Sequence, residues 1–220
     1  MSDVVVFGIG DFAQVACAYL RHDSEHDVVA FTVHEQYIES AELLGLPVVP
    51  YESLADSYPP SDFAMFVAVG FSRVNKTRRE LYDECKGNGY ELISYVNSKA
   101  FVLGELELGD NCFVFEANVI QPFVRIGSDV ILWSGNHIGH HTTIADHCFI
   151  ASHVVISGNV SIGEETFIGV NATFRDGVTI APRCVIGAGA LIMKDTEEGG
   201  VYSVAGSEAR SVKSWELKGF

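Results

Sequence analysis

From position 102 to position 197 one aliphatic or aromatic residue returns at every sixth place without an insertion: Val102, Leu108, Val114, Ile120, Ile126, Leu132, Ile138, Ile144, Ile150, Ile156, Ile162, Ile168, Phe174, Ile180, Ile186 and Ile192. Neither the 3.6-residue period of a helix nor the two-residue period of a strand produces this. A fixed repeat over so many units marks a solenoid. Four places after most of these residues stands a small or β-branched one, as at Cys112, Val124, Thr142, Cys148, Val160 and Ala172. Each hexad is therefore read as one short strand and one corner, and three hexads close a coil of a triangular prism. The large side chain fills the axis and the small one points inward near the next corner. Glycine or alanine directly after the axial residue, as at Gly127, Gly139, Ala151 and Gly169, is expected to ease the bend. Parallel pairing between coils at about 4.8 Å makes roughly five coils and a column about 25 Å tall.

Residues 1–96 carry a different pattern. Asp3 to Phe7 is a short apolar run that ends in Gly8-Ile9-Gly10-Asp11-Phe12-Ala13 and leads into a helix predicted over Phe12 to Arg21. Strands are expected at Val28 to Val33, Pro47 to Pro50 (an edge strand), Ala64 to Val69 and Glu91 to Val96, with helices at Tyr51 to Ser57 and Ser72 to Lys86. Alternating strands and helices predict a small parallel α/β sheet of Rossmann-like type. The expected division is an α/β domain at 1–96, a β-helix at 97–198, and a cap with a short tail helix at 199–220.

Composition narrows the function. Fourteen Lys and Arg against 29 Asp and Glu give a net charge of −15, which disfavours nucleic acid. No run of 18 apolar residues or secretory leader occurs, so membrane insertion is not expected and a cytoplasmic enzyme is. Five scattered cysteines without a CxxC pair read as buried thiols, and no metal is expected.

Five of the eight histidines lie between Asn136 and His153. Counting from Ile138, His140 and His141 take the third and fourth places of their hexad, at an outward corner where a side chain is not core. A histidine titrates near pH 6.5 and so supplies a neutral imidazole as general base at neutral pH. His147 reads as solvated surface, and Arg73, Arg78 and Arg79 as a solvated helix face from which Arg73 reaches a phosphate. The Gly8–Ala13 run fits a dinucleotide fingerprint loosely, and no acidic residue ends the second strand. Its amides, with Asp11 and Phe12 at the helix start, still suit a diphosphate.

The hexads resemble the hexapeptide-repeat acyltransferases, a resemblance that implies a left-handed β-helix. The glycine-turn α/β domain, the uninterrupted column and the Gly206-Ser-Glu-Ala-Arg210 ending are together similar to the sialic-acid and bacillosamine type of sugar O- and N-acyltransferases. The run His140-His141-Thr142-Thr143-Ile144-Ala145-Asp146 corresponds to that family's catalytic segment, so the resemblance implies His140 as base. His141 falls where the family often has an acidic residue, which leaves the orienting role to His141 itself or to Asp146 or Glu116. Implied substrate contacts are Gly8, Gly10, Asp11, Phe12, Gly70, Phe71, Ser72, Arg73, His137 and His153. Implied acetyl-CoA contacts are Ala151, Ser152, Gly169, Val170, Gly187 and Ala188, with Arg183, Lys194 and Arg210 near the phosphates.

The expected activity is direct acetyl transfer from acetyl-CoA to the amine of a nucleotide-linked amino sugar. O-acetylation of a sugar and a non-catalytic nucleotide-binding β-helix are the alternatives. A homotrimer is expected, because Phe113, Phe115, Phe123, Trp133 and Phe149 fall outside the prism axis and need cover.

Overall fold

The computed structural model describes residues 2–209 and 211–217. Its first part is a sheet of five strands, β1 (Asp3–Phe7), β2 (Asp27–Val33), β3 (Glu42–Leu43), β4 (Leu46–Pro50) and β5 (Ala64–Val67), in the order β3-β4-β2-β1-β5. All pairs are parallel except the short β3–β4 hairpin, so the Pro47 segment lies inside the sheet and not at its edge. Helix α1 (Asp11–Asp23) covers one face through Ala13, Ala16, Cys17 and Leu20, and α2 (Leu54–Ser57) and α3 (Lys76–Gly87) cover the other.

The expected strand at Glu91 to Val96 is divided between two sheets. Leu92 makes a single parallel bridge to Met65, whereas Tyr95 and Val96 already pair with Phe113 and Val114 of the column. The start of α3 also differs. Arg73, Val74 and Asn75 all hold left-handed backbone (φ 54, 54 and 66°), which postpones the helix to Lys76.

The column is a parallel β-helix whose two-residue strands pair at a spacing of 18, as in Ile120 with Ile138 and Ile138 with Ile156. Three sheets of six, five and seven strands make its faces. The axial residues from Val114 to Ile192 are buried, with Cys112, Val124, Thr142, Cys148, Val160 and Ala172 beside them, and Val102 and Leu108 of the first coil are partly buried. Burial pushes the Cys112 and Cys148 thiols up to about 12, so both remain protonated packing groups.

The corners are made by the third residue after each axial one, which is left-handed in every hexad from Asn111 to Gly189. Asparagine, aspartate, histidine and glycine fill most of these places because they tolerate that conformation best. The glycine after the axial residue has another reason. A Cβ on Gly139 would stand 2.4 Å from the Ser157 carbonyl carbon, and one on Gly169 2.7 Å from the Ala188 nitrogen, so these residues admit the backbone of the next coil.

The outward sides of the faces differ. One is polar: Glu107, Arg125, Thr143, Ser161 and Thr179. A second carries Phe113, Ile131 and Phe149, buried together with α1 residues and Phe66 of the first sheet. The cover expected from neighbouring subunits for Phe113, Phe115 and Phe149 is thus supplied by the chain's own α/β domain. Trp133 is partly buried there, stacked on Phe115 with ring centroids 4.5 Å apart, and only Phe123 is left open, at 71% exposure. The third face carries Phe101, Val119, His137, Val155, Thr173 and Leu191, of which Phe101, Val119, Val155 and Leu191 are exposed.

After Ile192 the chain adds one more strand, Val201–Tyr202, beside Val185–Ile186. The expected tail helix is a single 3₁₀ turn at Ser214–Glu216. No described helix is long and apolar enough to cross a membrane.

Candidate active site

His140 and His141 stand on one corner of the column, both exposed. His141 is the left-handed residue of that corner (φ 60°), and its ring lies 4.7 Å from that of Phe123 on the coil below. The His140 amide donates to Gln121 Oε1 at 2.9 Å, and the two imidazoles meet at right angles with their Nδ1 atoms 3.1 Å apart. Beneath the His140 ring the next coil offers Gly158. A Cβ there would sit 2.5 Å from His140 Cε1, 2.7 Å from Nε2 and 2.9 Å from Asp176 Oδ1. The missing side chain makes room for the ring and brings Asp176 to the same hollow. Asp146 and Glu116 do not orient His140: Asp146 accepts the Ser128 amide, and Glu116 accepts from Tyr19 and Ser134.

A second site lies in the α/β domain, where a cleft of about 630 Å³ opens at the ends of β1, β2 and β5. Gly8, Gly10, Asp11, Phe12, Gly70 and Arg73 line it as expected from sequence. Gly8 is required by its backbone (φ 129°) and by the Ala68 carbonyl, 2.7 Å from where a Cβ would be, whereas a Cβ on Gly10 would meet nothing within 4 Å. Phe71 and Ser72 do not line the cleft. Phe71 turns instead to the rings of Phe149, edge-on, and Phe167, tilted, on the column, with centroids at 5.0 and 4.7 Å, and Ser72 is exposed beside it. The opposite wall was not read from the sequence. It comes from His34, Gln36 and Tyr37 after β2 and from Thr77, Glu80, Leu81 and Glu84, a set whose i, i+3, i+4, i+7 spacing on α3 was the available signal.

The other side of α3 docks on the column. Arg78, expected to be solvated, is fully buried and pairs with Asp129 at 3.0 Å; Asp129 also takes His147 Nδ1 at 2.9 Å and Asn111 Nδ2 at 2.7 Å. Arg79 reaches Glu165 at 3.3 Å, and Lys86 pairs with Asp110. His147 is likewise not surface: it is 8% exposed, with the Tyr82 ring at 5.3 Å. Asn111, Asp129, His147 and Glu165 occupy successive left-handed places of one corner, so the backbone rule that selects polar residues there also builds the ladder that receives the helix.

The residues expected to hold acetyl-CoA divide among corners. Ala151, Ser152, Gly169, Val170, Gly187 and Ala188 stack on one edge, where the Ala151, Gly169 and Gly187 amides are committed to the Ile168, Ile186 and Tyr202 carbonyls. Arg183 lies on the α3-docking edge, tied to Glu164 at 3.7 Å and to Glu198, and Lys194 follows Ile192 on the edge of His140. Neither joins the glycine-rich edge, because a step of one hexad moves a residue to another corner. Arg210 lies outside the described residues. His137 is on the exposed apolar face, and His153 is at a corner with its ring over Gly135.

Residues 123–158 and 159–194 match the bacterial transferase hexapeptide, six repeats in each model. Solved structures of two proteins match over nine tenths or more of this chain. The acetyltransferase domain of PglB from Neisseria gonorrhoeae is 26% identical with a TM-score of 0.80, over 91% of this chain and 96% of that one. It has also been solved with acetyl coenzyme A, at 26% identity and a TM-score of 0.79, over 90% and 94% of the two chains. PerB from Caulobacter crescentus, in complex with CoA and GDP-perosamine, is 25% identical with a TM-score of 0.80, over 94% and 98%. With its α/β domain, its likenesses over nine tenths of the chain and a column that matches the bacterial transferase hexapeptide, the chain is an acyltransferase built from a Rossmann-like domain and a left-handed β-helix.

Proposed function

We propose that the protein transfers an acetyl group from acetyl-CoA to the amine of a nucleotide-linked amino sugar, with His140 as general base. The observation that carries this reading is the His140–His141 pair over Gly158, in a chain whose likenesses hold acetyl-CoA in one case and CoA with GDP-perosamine in another. With its Nδ1–H donated to His141 Nδ1, His140 keeps the lone pair on Nε2. Nε2 takes a proton from the amine as its nitrogen attacks the thioester carbonyl. The tetrahedral intermediate collapses, the C–S bond breaks, and the imidazolium returns the proton to the departing thiolate, leaving an amide and CoA. A corner amide stabilises the oxyanion. No covalent enzyme intermediate is needed.

In this reading the cleft of residues 1–96 holds the nucleotide, with the diphosphate at the α1 N-terminus. Acetyl-CoA lies along the Ala151, Gly169 and Gly187 edge. The enzyme is a homotrimer, supported by the uncovered Phe101, Val119, Val155 and Leu191 face, and His140 of one subunit works against the acetyl-CoA edge of its neighbour. The test is acetyl-CoA turnover with UDP-, dTDP- and GDP-linked amino sugars against matched hydroxyl acceptors. Amine-dependent turnover is expected; turnover only with hydroxyls, or with none, overturns the reading. Gly10→Val fits the fold and is expected to weaken sugar-nucleotide binding while acetyl-CoA binding, followed by calorimetry, is kept.

A further inference from the structure

Arg73, Val74 and Asn75 are three consecutive non-glycine residues in the left-handed region, at φ 54, 54 and 66°. Elsewhere in the described chain such residues serve corner positions or turns, but here they form a run with a β-branched valine at its centre. A valine with positive φ is an outlier that persists only where its surroundings over-determine it. The run separates Gly70 from α3, and both Gly70 and Arg73 line the cleft. Arg73 is also the one arginine or lysine among the cleft residues, held in the present structure by two bonds to Glu80 at 2.9 and 3.3 Å.

What fixes the run is Arg78. One guanidinium nitrogen donates to the Gly70 carbonyl and to Asn75 Oδ1, both at 3.2 Å. The rest of the same group is spent on the column: Nε on Asp129 Oδ1 at 3.0 Å, and the other nitrogen on the carbonyls of Asp129, His147 and Cys148 at 3.1, 3.0 and 3.2 Å. Asn75, itself fully buried, donates to the Thr166 carbonyl at 3.1 Å. Two buried side chains thus tie Gly70, before the strained run, and Asn75, its last residue, to three successive coils.

We infer that Arg78, seconded by Asn75, is a positioning residue for the nucleotide. Through it the column presets the Gly70–Arg73 wall, so that Arg73 is presented to an anionic ligand at the α1 N-terminus before that ligand arrives. This rests on the reading that the cleft takes the nucleotide of the substrate. It explains why the one arginine or lysine of the cleft sits on a backbone that resists relaxation. The acetyl-CoA edge stands on another corner and lacks this contact, so the two ligands respond differently.

The experiment uses full-length protein with Arg78→Lys, which keeps the charge and loses the fork, and Asn75→Ala, which leaves the Arg78–Asp129 pair in place. Binding of UDP, dTDP and GDP and of acetyl-CoA is measured by calorimetry, and turnover by acetyl-CoA consumption. Nucleotide affinity is expected to fall about tenfold or more, the effect of losing a buried charged hydrogen bond. Acetyl-CoA affinity stays within about twofold, and the loss in turnover appears in KM for the sugar nucleotide and not in kcat. If Arg78→Lys does not fold, Asn75→Ala decides alone. A folded variant with unchanged nucleotide affinity, or one that loses both ligands equally, overturns the inference while the cleft assignment stands. A wild-type protein that binds none of the three nucleotides overturns the cleft assignment and the inference with it.

Discussion

The Nδ1 to Nδ1 contact of 3.1 Å between His140 and His141 places one proton between two rings, and the tautomer with that proton on His140 is the one that leaves Nε2 basic. His140→Asn is therefore expected to lower kcat about 100-fold or more. The melting temperature stays unchanged, since the side chain is exposed. Gly158→Ala tests the same hollow from below. Its methyl would displace the His140 ring, so kcat is expected to drop by about tenfold or more with acetyl-CoA affinity kept. A Gly158→Ala enzyme of normal kcat would show that the ring works from another position. At this scale the sequence register was enough to set His140 and His141 on an outward corner, because periodicity alone fixes that. It failed for Arg78 and His147, which look like ordinary polar surface until α3 and the column are brought together. Asp129 lies 51 positions from Arg78 and His147 is covered by Tyr82 of α3, and a local pattern carries no such information.

Among the elements, α3 does the most unusual work, since one of its faces lines the cleft and the other enters the polar ladder of the column. The end of α1 is tied down more simply. Asp23 accepts the Ser98 amide at 2.8 Å, the Ser98 hydroxyl at 2.5 Å and the Tyr95 hydroxyl at 2.7 Å. These donors, Ser98 first, hold its carboxyl at about 2 against an ordinary 3.8. A depressed folded-state value means stability that is present above about pH 4 and lost as pH falls through about 2. Asp23→Asn is accordingly expected to melt below wild type at neutral pH, with the gap closing between pH 4 and pH 2; a gap independent of pH would remove the carboxylate from the account. The hexads and β1 were legible to the residue, and β2 to within one residue at its start. The Glu91 to Val96 strand was misread because its apolar run serves two sheets in turn, and the expected bend glycines turned out to be close-approach glycines. Both misreadings concern what lies opposite a segment, which its own composition does not state.

At the scale of the molecule, the α/β domain covers one face of the prism and polar side chains line another, which leaves the Phe101, Val119, Val155 and Leu191 face uncovered within the chain, the face on which the proposed trimer rests. Val155→Asp puts a carboxylate in the middle of that face at an exposed position, so light scattering is expected to show a monomer with the fold intact and activity lost. A Val155→Asp protein that is still trimeric, or a wild type that is monomeric, would move the assembly elsewhere. Mixed trimers of His140→Asn and Val170→Trp chains are expected to recover part of the activity if the site is shared between subunits. The strand pairing at a spacing of 18 also reaches beyond this one chain. Losing a single residue within the column would break the six-residue phase, losing one hexad would keep the axis but move every later side chain to another face, and losing one whole coil would keep both. A change of height that preserves all three faces therefore comes in coil-sized steps, and the coils that carry Asp129 and His147 are the ones that hold the anchor of α3.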